Sequence, residues 1–400
     1  MYLGGFTHRD ELYQIAVRWL QDQMEPDDAW HLTEIFSYEG FISTYPSKKF
    51  ITSFLSELYN CEIDAKYTNY KHQVKESVIR SIPQYNERIE MLVRAFKARP
   101  EEYFPRAPFN GLLYYDSNDH LIGMYRIKRA RRVAEKVSRR LADRILSHIR
   151  SKAESLAKKR ATLLGIPLDM LLTSHEQMVT EFEAAERQLA EQITKGEILF
   201  DHNDMAIHDV IGIKVIGDQE RLKKAEQLLE SHPDITIVER EEHKGTYNAT
   251  NIQVDLKLPP SAETIDRIFS KMTPPFPVSR GISLEDLIEG FPTYVETGLD
   301  SVRLEIILTT YEELVESEIG RSIHERRTLG QRQQRQYTGR IAKNCEFIIE
   351  YLLSVAFSPK IHVSIIPVKL LGYYLPETIS YAIRRLYNME ESALFPTLTF

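Results

Sequence analysis

From Asp209 onward the sequence leaves a helical period for short apolar runs, each carrying one or two polar residues in fixed places. Three of them constrain the fold most: His208 to Ile216, Gly245-Thr246-Tyr247-Asn248, and Leu304 to Thr310. The first and third read as strands of a buried sheet, and each sets a carboxylate there, Asp209 and Glu305. Carboxylates are scarce in such places unless they are paired or hold a cation. Two acids converging on a sheet beside a basic segment form an arrangement suited to Mg²⁺ and polyphosphate. The two-residue period puts Arg303, Glu305, Ile307 and Thr309 on one strand face. That face is half polar, so it reads either as a solvated face or as the wall of a site.

The rest of the chain surrounds this centre with helices. Apolar spacing at Leu12, Ile15, Ala16 and Leu20 predicts a helical bundle over 8–100, with breaks at Asp27-Asp28 and at Tyr45-Pro46-Ser47. A hairpin follows, 111–115 and 121–127 around the turn Asp116-Ser117-Asn118-Asp119. A long helix is expected over 129–164, ended by Gly165-Ile166-Pro167, then a more acidic one over 174–196. Beyond Asp209 come strands at 209–216, 235–240, 250–258 and 302–309 and helices at 219–231, 262–272 and 311–328. Residues 331–357 and 374–389 read as helices, and Lys360–Val368 as a possible strand. The fold class expected is α+β: a mixed sheet flanked by helices, with helical N- and C-terminal regions. The organisation expected is a helical region 1–105, a central domain 106–330 with a helical insertion at about 140–205, and a mainly helical region 331–400.

Bulk properties exclude several classes. With 42% apolar and 27% charged residues the chain is an ordinary globular protein, and a net charge of −7 makes it no general nucleic-acid binder. Cys61 and Cys345 are too few and too far apart for a disulfide framework or a zinc site, which fits a reducing compartment. The start lacks a signal-peptide pattern, and the apolar stretch 347–357 is too short to span a bilayer. A cytoplasmic protein with no membrane partner is the expectation.

Against that acidic balance, Arg126 to Arg160 holds fourteen Lys or Arg and three Asp or Glu. Such a block binds phosphate-rich ligands, RNA or an acidic protein, or else lays its basic face on an acidic helix such as 174–196. Arg126 and Lys128 stand apart, because they close a strand just before a helix, a usual place for phosphate contacts. RNA binding through 129–160 lacks the interleaved aromatics of single-strand binders. The polar run Asp201-His202-Asn203-Asp204 with His208-Asp209 has the residue types of a metal cluster. No second His-Asp pair occurs in the helical region, so it reads as a polar turn entering the strand.

The order of these motifs resembles the synthetase domain of the RelA/SpoT family, the (p)ppGpp synthetases, over roughly 110–328 and most densely over 209–324. The resemblance implies a nucleotidyltransferase-like synthetase core that moves pyrophosphate from ATP to the ribose 3′-hydroxyl of a guanine nucleotide, with Mg²⁺. It implies that Arg126, Lys128 and Lys136, as Arg-x-Lys-x₇-Lys, grip the ATP phosphates. It also implies that Asp209 and Glu305 hold Mg²⁺, that Glu305 helps activate the attacking hydroxyl, and that Tyr247 stacks on the guanine. Lys214 stands where the family has the Arg of Asp-x-x-Gly-x-Arg, and Glu318, Gly320 and His324 match the following helix. The sequence departs from the family at Ile307 (Gln in the family), Thr309 (Arg), Asn251 (near a His) and Arg132 (Ser). Arg150, Lys152, Ser155 and Lys159 form a second candidate basic motif without a preceding strand. Two functions from this resemblance stay open: a divergent pyrophosphokinase making an alarmone or modifying a related acceptor, and a catalytically inactive nucleotide- or partner-binding module on the same scaffold.

Overall fold

The computed structural model of the chain describes residues 1–83, 86–198, 200–245, 248–271, 281–333, 339–358, 362–363 and 365–386. Nine strands are described: β1 (Tyr2–Leu3), β2 (Asp64–Tyr70), β3 (Pro108–Tyr115), β4 (Leu121–Ile127), β5 (Ala206–Ile207), β6 (Ile211–Ile216), β7 (Ile235–His243), β8 (Ala249–Lys257) and β9 (Ser301–Thr309). Seven form one sheet in the order β2-β3-β4-β6-β9-β8-β7, while β1 and β5 pair separately. Within the large sheet only β6 and β9 run parallel; the other neighbours are antiparallel. This is the mixed sheet flanked by helices that the sequence predicts.

Alternation along the central strands decides which face is covered. Val302, Leu304, Ile306 and Leu308 on β9 and Ile211, Ile213 and Val215 on β6 point into the main core, where the helices Arg9–Leu20, Asp28–Tyr59 and Arg340–Phe357 pack. The opposite face has a second, smaller apolar cluster at one end, formed with the helices Lys71–Arg80 and Glu87–Ala98. The rest of that face carries Arg126, Gly212, Glu305 and Gln253 in one lateral row across β4, β6, β9 and β8. Neighbouring strands lie about 4.8 Å apart, so the row brings residues distant in sequence within reach of one another.

Local signals account for most boundaries. The helix Ala130–Leu164 ends at Gly165, whose left-handed φ of 66° a side chain would strain. Ser174 and Gln177 form a reciprocal cap that starts the helix His175–Thr194. Asp116 accepts from the backbone N–H groups of Asn118 and His120 and so closes the β3–β4 turn.

Four points of the sequence reading need correction. Pro46 does not break the helix; it lies inside Asp28–Tyr59, where buried Ile42, Phe50, Phe54 and Leu58 anchor both flanks and outweigh the lost backbone bond. Residues 64–70, expected within a helical bundle, form edge strand β2 on β3. The helix Leu284–Thr297 has no counterpart in the sequence reading, because Gly290 and Pro292 interrupt its pattern. The described residues within 360–368 form no strand, and the remainder of that segment lies outside the described residues. Among the described residues no helix is long and apolar enough to cross a membrane.

Candidate active site

The pairing of β4 with β6 builds the centre of the site. The Lys128 N–H donates to the Val210 carbonyl at 2.8 Å, extending the ladder one step past β4. That step sets Lys128 beside Asp209, which lies just before β6. Lys128 Nζ donates to Asp209 Oδ2. Lys136, two turns into the basic helix, donates to both Asp209 oxygens at 3.0 Å. Three of the five residues that the resemblance links to phosphate and metal, Lys128, Lys136 and Asp209, are therefore in direct contact.

Burial would raise the Asp209 carboxyl, but Lys128 and Lys136 outweigh it and hold the group well below the usual carboxylate range. Burial, reinforced by Lys136 and Arg126, pushes the Lys128 ammonium down to about 8 despite its bond to Asp209. Glu305 faces the same space from β9. Burial raises its carboxyl, and the foremost charge adding to the rise is Asp209. Asn251 on β8 donates to Glu305 Oε1 at 3.3 Å and meets His243 Nε2 at 2.9 Å. Asn251 thus steadies Glu305.

Lys214 goes elsewhere. It is partly buried, and its ammonium lies 3.8 Å from Glu318, in a second cluster whose other lysines the sequence reading did not contain. Lys71 lies 2.7 Å from Glu318 and 3.2 Å from Glu325; Lys75 donates to the Glu318 carbonyl at 2.7 Å and to Ser322 Oγ at 3.0 Å. A single π turn, Glu316–Gly320, carries Glu318 into the cluster. Burial, outweighed by Lys71 and Lys214, leaves Glu318 well below its usual range. Burial pushes His324 well below its own, so it stands as a neutral imidazole against these cations. Lys71 and Lys75 were missed in the sequence because they belong to the N-terminal helices. Their four-residue spacing at a helix start was the available signal.

Arg126 stands between the two clusters. It is half-buried, makes no ion pair with a described residue, and its charge weighs on Lys128, Glu305, Lys71 and Lys214. The combined site brings six cations (Arg126, Lys128, Lys136, Lys214, Lys71, Lys75) against four acids (Asp209, Glu305, Glu318, Glu325). Burial depresses both Lys75 and Lys214, whereas burial of Lys71 is outweighed by Glu318 and Glu325, which hold its ammonium above the usual range. A buried cation excess is costly unless an anion completes it.

The other sequence candidates fall into place around this centre. Tyr247 lies outside the described residues; next to it, Asn248 donates twice to Glu313, at 2.8 and 2.7 Å. Ile307 pairs in register with Lys214 and Asn251, and Thr309 is buried, so neither supplies a charged contact. Arg150 is fourteen residues beyond Lys136 on one helix, about 21 Å away at 1.5 Å per residue, so the motif Arg150, Lys152, Ser155 and Lys159 is remote from Asp209. Much of the basic helix is engaged within the fold. Arg131 and Arg132 pair with Glu135, Arg140 donates to the Ala206 carbonyl, and Arg160 pairs with Glu181 on the acidic helix at 2.7 Å. The Asp201 N–H donates to Asp204 Oδ2 at 2.9 Å within the turn it opens, and among the described residues no group of three or more His, Cys, Asp or Glu is placed to hold a metal. The Asp209–Glu305 pair does fit Mg²⁺ by donor chemistry. One or two hard carboxylates completed by phosphate oxygens and water are that ion's usual set.

No protein-family model matches the chain, and no curated protein matches it. Among solved structures, the crystal structure of the small alarmone synthetase 1 from Bacillus subtilis is similar at 13% identity and a TM-score of 0.20. The likeness covers 54% of this chain and 91% of that one. At that TM-score it carries no weight, and the case for the site rests on its own distances and charges.

Proposed function

We propose that this chain is a Mg²⁺-dependent nucleotide pyrophosphokinase, moving pyrophosphate from ATP to the ribose 3′-hydroxyl of a guanine nucleotide or a related acceptor. The observation that carries this reading is the two-cation excess of a partly buried site whose central acid, Asp209, is gripped by two lysines. A triphosphate is the anion that such a site lacks, and exchange of Asp209 for phosphate oxygens lets Lys128, Lys136 and Arg126 grip it. Asp209 and Glu305 would hold Mg²⁺, which supplies neutralisation of phosphate charge. Glu305, its carboxyl raised by burial and by Asp209, is suited to take the proton of an attacking hydroxyl. The hydroxyl oxygen forms a bond to the β-phosphorus, the bond from that phosphorus to the α-phosphate oxygen breaks, and AMP leaves. The protein's part is positioning and charge, which dominate phosphoryl-type transfer.

Purified protein with ATP, Mg²⁺ and a panel of GDP, GTP, AMP and tRNA is expected to release AMP with at least one acceptor. Release with none would overturn the reading. A second reading, nucleotide binding without turnover, draws support from Ile307 and Thr309, which leave the β9 wall without the polar contacts the family pattern has there. It predicts heat on titration with ATP or ppGpp and no AMP.

A further inference from the structure

The basic helix Ala130–Leu164 and the acidic helix His175–Thr194 form an arm that outruns the core. On the first, burial in the core ends at Ile149, with Ala161 buried farther out; on the second it is confined to Ala185–Ile193. The arm is internally fastened, since Arg160 bonds both Glu181 and Thr173. Its tip is a run of exposed large apolar side chains: Leu163, Leu164, Ile166, Leu168, Met170, Leu172, Met178 and Val179. Leu163 is 88% and Leu172 95% exposed, so these are uncovered residues rather than the fringe of a core. Their summed exposure is of the same scale as the roughly 800 Å² that one partner buries in a standard protein interface.

We propose that this tip is a self-association surface and that its partner is a second copy of the same arm. Two features select that occupant. The exposed apolar surface is of the scale of one side of a stable interface, and a two-fold pairing of identical tips covers it on both copies at once. The charges are also self-complementary: one helix presents exposed Lys159, beside Lys158 that pairs with Glu154 on the same helix, and the other presents exposed Glu176 and Glu183. An antiparallel pairing of two arms sets the basic helix of each against the acidic helix of the other. An anionic lipid surface fits less well, because Asp169, Glu176 and Glu183 are exposed on the same arm. The surface is remote from Asp209, so the association is independent of the chemistry at that site.

Sedimentation velocity of the full chain over a concentration series, with and without vesicles containing anionic lipid, tests this. The wild type is expected to move from monomer to dimer within the micromolar range. L163D/L172D is expected to weaken the dimer by roughly thirtyfold or more, as loss of buried apolar anchors does, with an unchanged far-UV circular dichroism spectrum. Lys159→Glu is expected to weaken it, and Lys159→Glu combined with Glu176→Lys to restore it in part. A wild-type chain that stays monomeric at every concentration, or that floats with vesicles as a monomer, overturns the proposal. So does a dimer of unchanged affinity in L163D/L172D.

Discussion

At the scale of single residues, the site is a balance between Asp209 and the lysines around it. Removing the acid leaves two neighbouring cations without their counter-ion. Asp209→Asn should cost about 2–4 kcal/mol, toward the lower end for a buried pair, because the Asp209 and Lys136 side chains keep 21% and 27% exposure. Urea denaturation checks this, and an unchanged midpoint would contradict the pairing. The sign with pH follows from the depressed carboxyl. Its stabilisation is complete above the unfolded value of about 3.9 and is lost as pH falls through the folded one. Lys128 sets a second pH effect. With its ammonium pushed down to about 8, it loses charge as pH rises through that value, so nucleotide affinity should weaken above pH 8. Lys128→Arg should remove that alkaline loss, because a guanidinium stays charged; a wild-type affinity flat to pH 9.5 contradicts the assignment. Glu305→Gln should abolish AMP release while leaving the melting temperature within a few degrees, since Gln keeps the shape and can still accept from Asn251.

At the scale of elements, strand pairing brings these residues together, and two glycines give contrasting tests of it. A Cβ at Gly111 would sit 2.0 Å from the Tyr125 carbonyl oxygen, so Gly111→Ala should split β3 from β4 and sharply reduce the soluble yield. A Cβ at Gly212 would meet nothing nearer than Glu305 Oε2 at 3.9 Å, so Gly212→Ala should fold normally. Equal behaviour of the two variants would contradict the described register. This level was largely legible in the sequence. The helix Gln219–Ser231 and the strands around Asp209 and Glu305 have alternation or caps that leave little choice. Residues 64–70 were not legible, because an exposed edge strand lacks an alternating apolar face and β2 has one buried residue. Pro46 misled for a related reason: its local preference is overridden by packing that only the folded chain reveals.

At the scale of the whole molecule, one apolar core collects residues from Met1 to Leu386, so terminal helices and sheet support one another. Calorimetry should accordingly show one principal transition. Leu352→Ala, on the helix Arg340–Phe357, should lower it by about 2–5 kcal/mol and lower the signals of sheet and helix together. Two well-separated transitions, one untouched by the substitution, would contradict a shared core. This scale also explains what the sequence hid about the site. Asp209, Glu305 and Lys128 were legible because they lie on or just beyond strands of one sheet, and Lys136 because it follows Lys128 in the basic motif. Lys71 and Lys75 reach Glu318 on the same face from a helix distant in sequence, and their four-residue spacing was the one local sign of a shared helix face, with nothing to say what that face meets. The account depends on those charges forming one anion site. Calorimetric titration of Mg-ATP into the wild type and into Lys128→Met tests that most directly. Saturable one-to-one binding to the wild type, weakened by roughly tenfold or more in the variant, is the result expected. Absence of heat in the wild type, or equal affinity in both proteins, contradicts it.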